Sequence, residues 1–376
     1  MKIVFTGAGG GHFYPLIAVA EKIKEEVNEQ KIFDAEMYFF SDKPYNQNLL
    51  DKYNIKFTHI PSGKLRLYFS LDNFFDPLKI IAGFFVALFK LFSIYPDLVF
   101  TKGGYASLPV VFAAKVLFIP VFLHESDSIP GKTNLITSKF AKRIAISYTL
   151  AAKYFDEKKT AYTGQPIISE YLPNINTLDK KHINFINNNA KKEKPTLFIL
   201  GGSQGSENIN NLILESLKEL LQKYKIIHQV GDANFEKIKI ATNVILTEDP
   251  NRSNYTYFGS SDLANYFEEA DICVTRAGST LFEISSWGIP SIIIPITVSN
   301  NDHQMQNAYL FQKNGGSIVL EEGNLRKNIL LNMIDSILND KDRYESMRNN
   351  NLNNFKAGAA DLIAKEIVKI GLSHNY

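Results

Sequence analysis

Ala270–Ala308 reads ADICVTRAGSTLFEISSWGIPSIIIPITVSNNDHQMQNA, a pattern of strand, turn, helix, strand and polar loop. Ile272–Thr275 is a short apolar run of β-formers. Arg276-Ala277-Gly278-Ser279-Thr280 is a turn whose Ser and Thr suit the cap of a following helix. Gly288-Ile289-Pro290 ends that helix, and Ile292–Pro295 is a second buried strand. Such a unit aims a loop and a helix N-terminus at the edge of a parallel sheet, where anionic ligands are held. Glu283, one turn into the helix, is badly placed for a phosphate, but a carboxylate there suits the vicinal diol of a sugar. After the second strand, Asp302, His303, Gln304 and Asn307 offer groups that read hydroxyls. An ordinary βαβ unit with a capped helix accounts for the stretch equally well when it is taken alone.

The same punctuation recurs upstream. Met1–Phe5 is a strand followed by Thr6-Gly7-Ala8-Gly9-Gly10-Gly11-His12, with a helix expected from Pro15 to about Glu26. Asp97–Phe100 leads into Thr101-Lys102-Gly103-Gly104-Tyr105, and Thr196–Leu200 into Gly201-Gly202-Ser203-Gln204-Gly205 with a helix from about Asn208. Glycine between strand and helix lets a phosphate or sugar approach backbone N–H groups. The glycine spacing before His12 does not fit the dinucleotide fingerprint. His12 has the pKa for proton transfer, with a plain hydrogen-bonding role as the alternative. Val121–Leu123 runs into His124-Glu125-Ser126-Asp127, which reads as acid–base machinery or a metal site. No second His or Cys cluster completes a coordination shell, so no metal site is assigned. Further strands are expected at Ala35–Phe40, Lys56–Ile60, Ile144–Ser147, Ile226–Gln229, Asn243–Thr247 and Tyr255–Gly259.

A length of 376 residues favours two domains, and 45% hydrophobic with 21% charged residues is a globular composition. A net charge of +2 argues against a nucleic-acid footprint. The single cysteine, Cys273, excludes an internal disulfide, and the apolar run at the N-terminus is too short for a signal-peptide core. A cytoplasmic protein is expected. Leu78–Phe92 is strongly apolar, broken only by Lys79, Gly83 and Lys90, and reads as too short to span a bilayer. It is either a packed helix or an interfacial one, with Lys64, Arg66, Lys79 and Lys90 near anionic headgroups. The domain reading is 1–163, a polar connection over 164–194, and 195–355, with a helix at about 356–376 crossing back onto the first domain.

GAGGGHFYP, TKGGYASLP, HESDSIPGKTN, TGQP, LGGSQGSENIN, TRAGSTLFEI and NDHQMQNA, in this order over nearly the whole chain, resemble the MurG family. These are the N-acetylglucosamine transferases of lipid-linked peptidoglycan precursor synthesis. The resemblance implies an α/β fold of GT-B type, two Rossmann-like domains with parallel sheets facing across a cleft. It implies UDP-N-acetylglucosamine as donor and an undecaprenyl-linked muramyl-peptide as acceptor. The donor would meet Ser203, Gln204, Ser260, Arg276, Gly278, Ser279, Thr280, Leu281 and Glu283, with Gln304 and Asn307 on the sugar. Gly9, Gly10, Gly11 and Asp127 would close on it from the first domain, and Gly103, Gly104 and Tyr105 would face the acceptor pyrophosphate. His12 is the first candidate for the base and Glu125 the second. No cofactor is required and a divalent ion is not indicated. The Leu78–Phe92 region would touch an anionic membrane, placing the enzyme peripherally at the cytoplasmic face. The family commonly has Thr in place of Gly9, Asn in place of Asp127 and Arg in place of Ile168, and the Arg276–Glu283 stretch is one residue shorter than in some members. Rival readings are a related transferase with a diacylglycerol acceptor, a UDP-N-acetylglucosamine 2-epimerase, and a non-catalytic membrane-surface scaffold.

Overall fold

Near-continuous apolar strands such as Val121–Glu125 and Thr196–Leu200 belong in parallel sheets covered on both faces, and two such sheets form. The computed structural model describes residues 1–31, 35–63, 72–174, 176–179, 194–202, 204–259, 263–297 and 302–373, with only the backbone at 72–75. Unit 1 comprises Met1–Ile168 together with Lys356–Tyr376, and unit 2 comprises Ser169–Phe355.

Unit 1 contains β1 Lys2–Gly7, β2 Glu36–Ser41, β3 Ile55–His59, β4 Leu98–Gly103, β5 Val121–Glu125, β6 Arg143–Ile146 and β7 Thr160–Tyr162. Its helices are α1 Gly10–Glu29, α2 Gln47–Lys52, α3 Asp72–Ile94, α4 Ser107–Val116 and α5 Lys132–Ser138. The strand order is β3-β2-β1-β4-β5-β6-β7, and every described pairing is parallel. Unit 2 contains β8 Thr196–Leu200, β9 Lys225–Gln229, β10 Tyr255–Phe258, β11 Ile272–Thr275, β12 Ser291–Ile293 and β13 Ser317–Val319. Its main helices are α6 Glu207–Lys223, α7 Phe235–Ile245, α8 Ala264–Glu269, α9 Thr280–Ser286, α10 His303–Lys313, α11 Lys327–Leu338 and α12 Lys341–Asn354. The order β10-β9-β8-β11-β12-β13 is again parallel throughout. In both sheets the order reverses beside the first strand, at β1/β4 and at β8/β11. Doubly wound sheets take ligands at the carboxyl ends of the strands at such a reversal. All the glycine turns found in the sequence follow one of these four strands.

Several expectations are corrected. α1 begins at Gly10, five residues before Pro15, because the Gly9 carbonyl accepts from His12 N (3.1 Å) and Phe13 N (3.2 Å). Proline is favoured in a first turn, which is why Pro15 looked like the start. Asn243–Thr247 is not a strand: α7 runs to Ile245, burying Ile238 and Thr242 at helical spacing. Ser279 has helical backbone angles (φ −62°, ψ −25°) and makes no side-chain cap bond to α9, since capping needs an extended backbone at that position. α6 is capped as expected of its type, Ser206 Oγ accepting from Ile209 N at 3.3 Å.

The apolar run at Leu78–Phe92 is also longer than it looks. α3 spans 23 residues, about 35 Å at 1.5 Å per residue, and Asp76–Ile94 is long and apolar enough by length and composition to cross a membrane. One face, with Gly83, Ala87 and Leu91, is buried in unit 1. Any Cβ at Gly83 would collide with the Pro61 carbonyl, so glycine permits this close approach. The opposite face exposes Leu78, Ile81, Phe85, Phe89 and Phe92, each more than half accessible. Between α3 and α4 lies an apolar groove of about 730 Å³ lined by Ile81, Phe84, Phe85, Phe112, Val116 and Phe118. Lys79 and Lys90 are exposed beside it, while Lys64 and Arg66 lie outside the described residues.

The chain re-enters unit 1 at Lys356, and α13 (Ala359–Ser373) packs along α1. Ile363, Ala364, Ile367 and Val368 join Phe13, Ile17, Ala20 and Ile23 in one buried cluster. Ile168 belongs to the same cluster at 1% exposure, so its side chain is core and faces no ligand.

Candidate functional site

In unit 1 the turns after β1 and β4 pack on one another. Gly104, at φ +82°, lies so close to Ala8 that a Cβ would sit 2.8 Å from the Ala8 Cβ. At Gly9 (φ +87°) a side-chain carbon would meet no described atom within 4 Å, so open space fronts the first turn of α1. Gly10 and Gly11 are the first residues of that helix, and His12 follows on the first turn, half-buried. His12 Nδ1 lies 3.0 Å from the Lys102 carbonyl oxygen. A carbonyl only accepts, so Nδ1 carries the proton and, in the neutral ring, Nε2 carries the lone pair. That tautomer is the one a general base needs.

Gly103 and Gly104 carry the β4 turn, and the Tyr105 hydroxyl donates to Asp42 Oδ2 at 2.6 Å. Tyr45 and Ser41 hydroxyls donate to Asp42 Oδ1 at 2.7 and 3.1 Å. Burial opposes ionisation of Asp42, but these three bonds win and hold its carboxyl below its ordinary range. The hydroxyl of Tyr105 is thus anchored to unit 1 itself.

Glu125 is 2% exposed, and its carboxylate accepts from Asp127 N (2.8 Å), Gly131 N (3.3 Å) and Asn134 Nδ2 (2.8 Å). Burial and the neighbouring Asp127 push its pKa up, partly offset by those donors. Its geometry ties down the loop from Ser126 to Gly131. Asp127 is half-buried on that loop. His124 is fully buried and driven well below its usual pKa, by burial first and by Lys102 second. Asn134 was overlooked in the sequence although it ends the HESDSIPGKTN motif; it sits where any Cβ at Gly103 would strike it.

In unit 2, Gly202 and Gly278 also front open space, at the turns after β8 and β11. Gln204 is exposed in the first of these turns, while Ser203 and Ser260 lie outside the described residues. Thr280 is half-buried at the start of α9, and Leu281 is core at 1% exposure, so only its backbone is available to a ligand. Glu283 is 9% exposed, and burial raises its pKa to about 7. No protein hydrogen bond reaches its carboxylate among the described residues. A buried carboxylate is costly without donors, so a hydroxyl that reached it would be favoured. Gln304 Oε1 accepts from Ile296 N at 3.2 Å, and Asn307, 1% exposed, donates to the Ala277 carbonyl at 3.2 Å. Asn307 thus shapes the turn before Gly278, while Gln304 holds the segment after β12.

Arg276 is engaged within the unit. It donates to Ser206 Oγ (2.6 Å) and the Ile294 carbonyl (3.0 Å) and pairs with Glu322 at 2.7 Å. Glu322 also accepts from Asn208 and Thr297; together these bonds outweigh burial and hold it at about 2. This network ties the β11 turn to the N-terminus of α6. Glu322 gave no signal in the sequence, because it lies 46 residues from Arg276 in an unpatterned loop. Among the described residues, no cluster of three or more His, Cys, Asp or Glu side chains could hold a metal.

The two halves match separate family models, the glycosyltransferase family 28 N-terminal domain over residues 3–146 and its C-terminal domain over 196–363. A Clostridium tetani protein named UDP-N-acetylglucosamine--N-acetylmuramyl-(pentapeptide) pyrophosphoryl-undecaprenol N-acetylglucosamine transferase is 34% identical over 97% of this chain and 98% of its own length. The Borrelia turicatae protein of the same name is 33% identical over 98% and 96%. Among solved structures, Acinetobacter baumannii MurG superposes with a TM-score of 0.69 at 22% identity, covering 98% of this chain and 99% of its own. A UDP-GlcNAc 2-epimerase from Neisseria meningitidis, bound to UDP-GlcNAc, reaches 0.65 at 14% identity over 98% and 100%. Two Rossmann-like units of GT-B type, matching both family models and full-length relatives, place the chain in the MurG family of glycosyltransferases, within glycosyltransferase family 28.

Proposed function

We propose that this enzyme transfers N-acetylglucosamine from UDP-N-acetylglucosamine to the muramyl 4-hydroxyl of an undecaprenyl-pyrophosphoryl muramyl-peptide, with inversion at the anomeric carbon. The full-length likeness to transferases of that name carries the reading. In this scheme unit 2 holds the donor, with the ribose hydroxyls donating to Glu283 and the diphosphate before the turns at Gly202 and Gly278. Gln204, Gln304 and Asn307 belong to that site, and the family resemblance adds Ser203 and Ser260 to its donor contacts. Arg276 acts through Ser206 and Glu322. Unit 1 holds the acceptor, with its pyrophosphate at Gly103–Tyr105. His12 Nε2 takes the proton from the 4-hydroxyl as that oxygen bonds to the anomeric carbon and the bond to UDP breaks. Backbone N–H groups at the N-terminus of α6 meet the charge that develops on the departing diphosphate. No cofactor enters the scheme. The product serves peptidoglycan synthesis, and through it cell shape and division.

Purified protein, radiolabelled UDP-N-acetylglucosamine and a muramyl-pyrophosphoryl lipid test the reading directly: label is expected in the lipid fraction. Conversion of the UDP-sugar to its 2-epimer with no labelled lipid overturns it.

The exposed face of α3 supports a peripheral position on the cytoplasmic membrane surface. Apolar side chains this exposed gain about 1.5–3 kcal/mol each on full burial in lipid, and Lys79 and Lys90 add attraction to anionic headgroups. Changing Phe85 and Phe89 to Ser is therefore expected to lower binding to anionic vesicles at least tenfold with the melting temperature unchanged. Phe84 packs on the core, so Phe84→Ser is expected to lower the melting temperature instead. Vesicle co-sedimentation beside thermal unfolding checks both, and unaltered sedimentation of the double variant sinks the membrane assignment.

A further inference from the structure

The side chain of Lys102 has no part in the scheme above, yet it is 1% exposed and ranks among the largest fully buried side chains. Burying an amine is costly, so its surroundings should explain it. Its Nζ donates to His124 Nδ1 at 2.9 Å and also to the Ser126 hydroxyl. The neighbours of Ser126 in the chain are Glu125 and Asp127. On its other side His124 Nε2 lies 3.1 Å from the Gly164 carbonyl, to which it must donate. Ser147 Oγ, which donates to Gln165, is a second acceptor for Nε2–H at 3.3 Å, so the ring is held between the amine on one side and two acceptors on the other.

We propose that Lys102 is a positioning residue whose amine donates at once to His124 Nδ1 and the Ser126 hydroxyl and opposes the two carboxylates flanking Ser126, keeping the Glu125–Gly131 loop in the shape that turnover needs. When protonated, the Lys102 amine sets one positive charge against the carboxylates of Glu125 and Asp127. Removing the amine leaves two like charges beside one serine, one of them fully buried. Removing the amine and the Asp127 carboxylate together leaves Glu125 within its three N–H donors and without the neighbouring like charge. Lys102 and Asp127 therefore depend on one another, and an acid at position 127 is tolerable because the amine is there. Burial lowers the Lys102 pKa to about 7, with Glu125 and then Asp127 offsetting only part of that fall, and burial with Asp127 raises Glu125 to about 7. The backbone of the same residue orients His12 through its carbonyl, so one residue of the β4 turn serves both histidines.

The proposal rests on the transferase reading only for its kinetic readout. The test is a double-mutant cycle of Lys102→Met and Asp127→Asn, read by kcat, donor KM, thermal unfolding and the ring nitrogen shifts of ¹⁵N-histidine-labelled protein. Lys102→Met is expected to lower kcat about 10–100-fold with donor KM changed less than threefold. Adding Asp127→Asn should restore kcat at least tenfold over Lys102→Met alone. The His124 Nδ1 shift should move in Lys102→Met, which removes its donor, while Nε2 stays protonated against the Gly164 carbonyl. Lys102→Gln separates the two roles, because its amide still donates to Nδ1 but carries no charge; it should keep the His124 Nδ1 shift and still need Asp127→Asn for activity. If Lys102→Met does not fold, Lys102→Gln alone and with Asp127→Asn completes the cycle. Simple multiplication of the two single effects, or a His124 Nδ1 shift that Lys102→Met leaves untouched, overturns the proposal. If the wild type transfers no sugar, the transferase reading falls, and the nitrogen shifts with the coupling in melting temperature still decide the role of Lys102.

Discussion

Replacing His12 with alanine is expected to lower kcat by about 10²–10⁴-fold, the usual contribution of a positioned base, with UDP affinity held within about twofold. The expectation rests on the bond between His12 Nδ1 and the Lys102 carbonyl, which leaves Nε2 as the lone-pair nitrogen, and on the donor site being proposed in unit 2. His12→Gln separates this role from hydrogen bonding. An amide can donate to a phosphate or keep the bond to the Lys102 carbonyl, but it takes no proton at neutral pH. Gln at position 12 should therefore be as slow as Ala. Near-normal turnover in the Gln variant removes the base assignment, and a large loss of UDP affinity in both variants makes His12 a donor contact. Glu125 is a poor substitute for the base, with its carboxylate already accepting three N–H bonds inside the protein.

Glu283→Gln is expected to weaken UDP binding by about 10–100-fold and, at the same time, to stabilise the protein at pH 8. Losing a charged acceptor for ribose hydroxyls costs about 1.5–3 kcal/mol. The stability effect follows from burial, which raises the Glu283 pKa from 4.5 to about 7. Between those two values the folded state binds more protons than the unfolded state. Stability is therefore fully present below about pH 4.5, falls as pH rises, and levels off above about 7. The folded protein at pH 8 carries a penalty on the order of 3 kcal/mol that a neutral Gln does not incur. The difference in stability between variant and wild type should be near zero at pH 4.5 and large at pH 8. UDP binding near pH 6.5 should also release protons, since hydroxyl donors favour the carboxylate. Titration calorimetry in two buffers of different ionisation heat, with melting curves at both pH values, checks all three expectations. A melting difference that does not change with pH removes the buried-charge argument.

Strands with glycine turns were legible in the sequence because period and punctuation are local signals. Ile272–Thr275 with Arg276–Ser279, and Thr196–Leu200 with Gly201–Gly205, stand where they were expected. Features that depend on distant partners were not legible. The start of α1 is decided by the Gly9 carbonyl, whereas Pro15 carries the stronger local signal. Ser279 has the right chemistry for a cap but a helical backbone. Arg276 reads as an anion contact until Glu322 and Ser206 are seen around it. Lys102 looked like one more residue of a glycine loop, and nothing near it in sequence announces that its amine meets His124, 22 residues on. The length of α3 was misjudged because its first turn, from Asp72, lies outside the apolar run.

The return of α13 to unit 1 bears on how the chain is born. Ile363, Ile367 and Val368 complete the same buried cluster as Phe13 and Ile17, so the half made first lacks one wall until the half made second has been synthesised. Roughly 200 residues separate Ile168 from the end of α13, which at about 5–20 residues per second is a delay on the order of ten to forty seconds. Through that interval α1 presents its apolar side without α13, and α3 its outward phenylalanines, while unit 2 has a continuous stretch of chain from which to fold. The nascent chain therefore has a period in which this apolar side of unit 1 is uncovered, and α13 closes it.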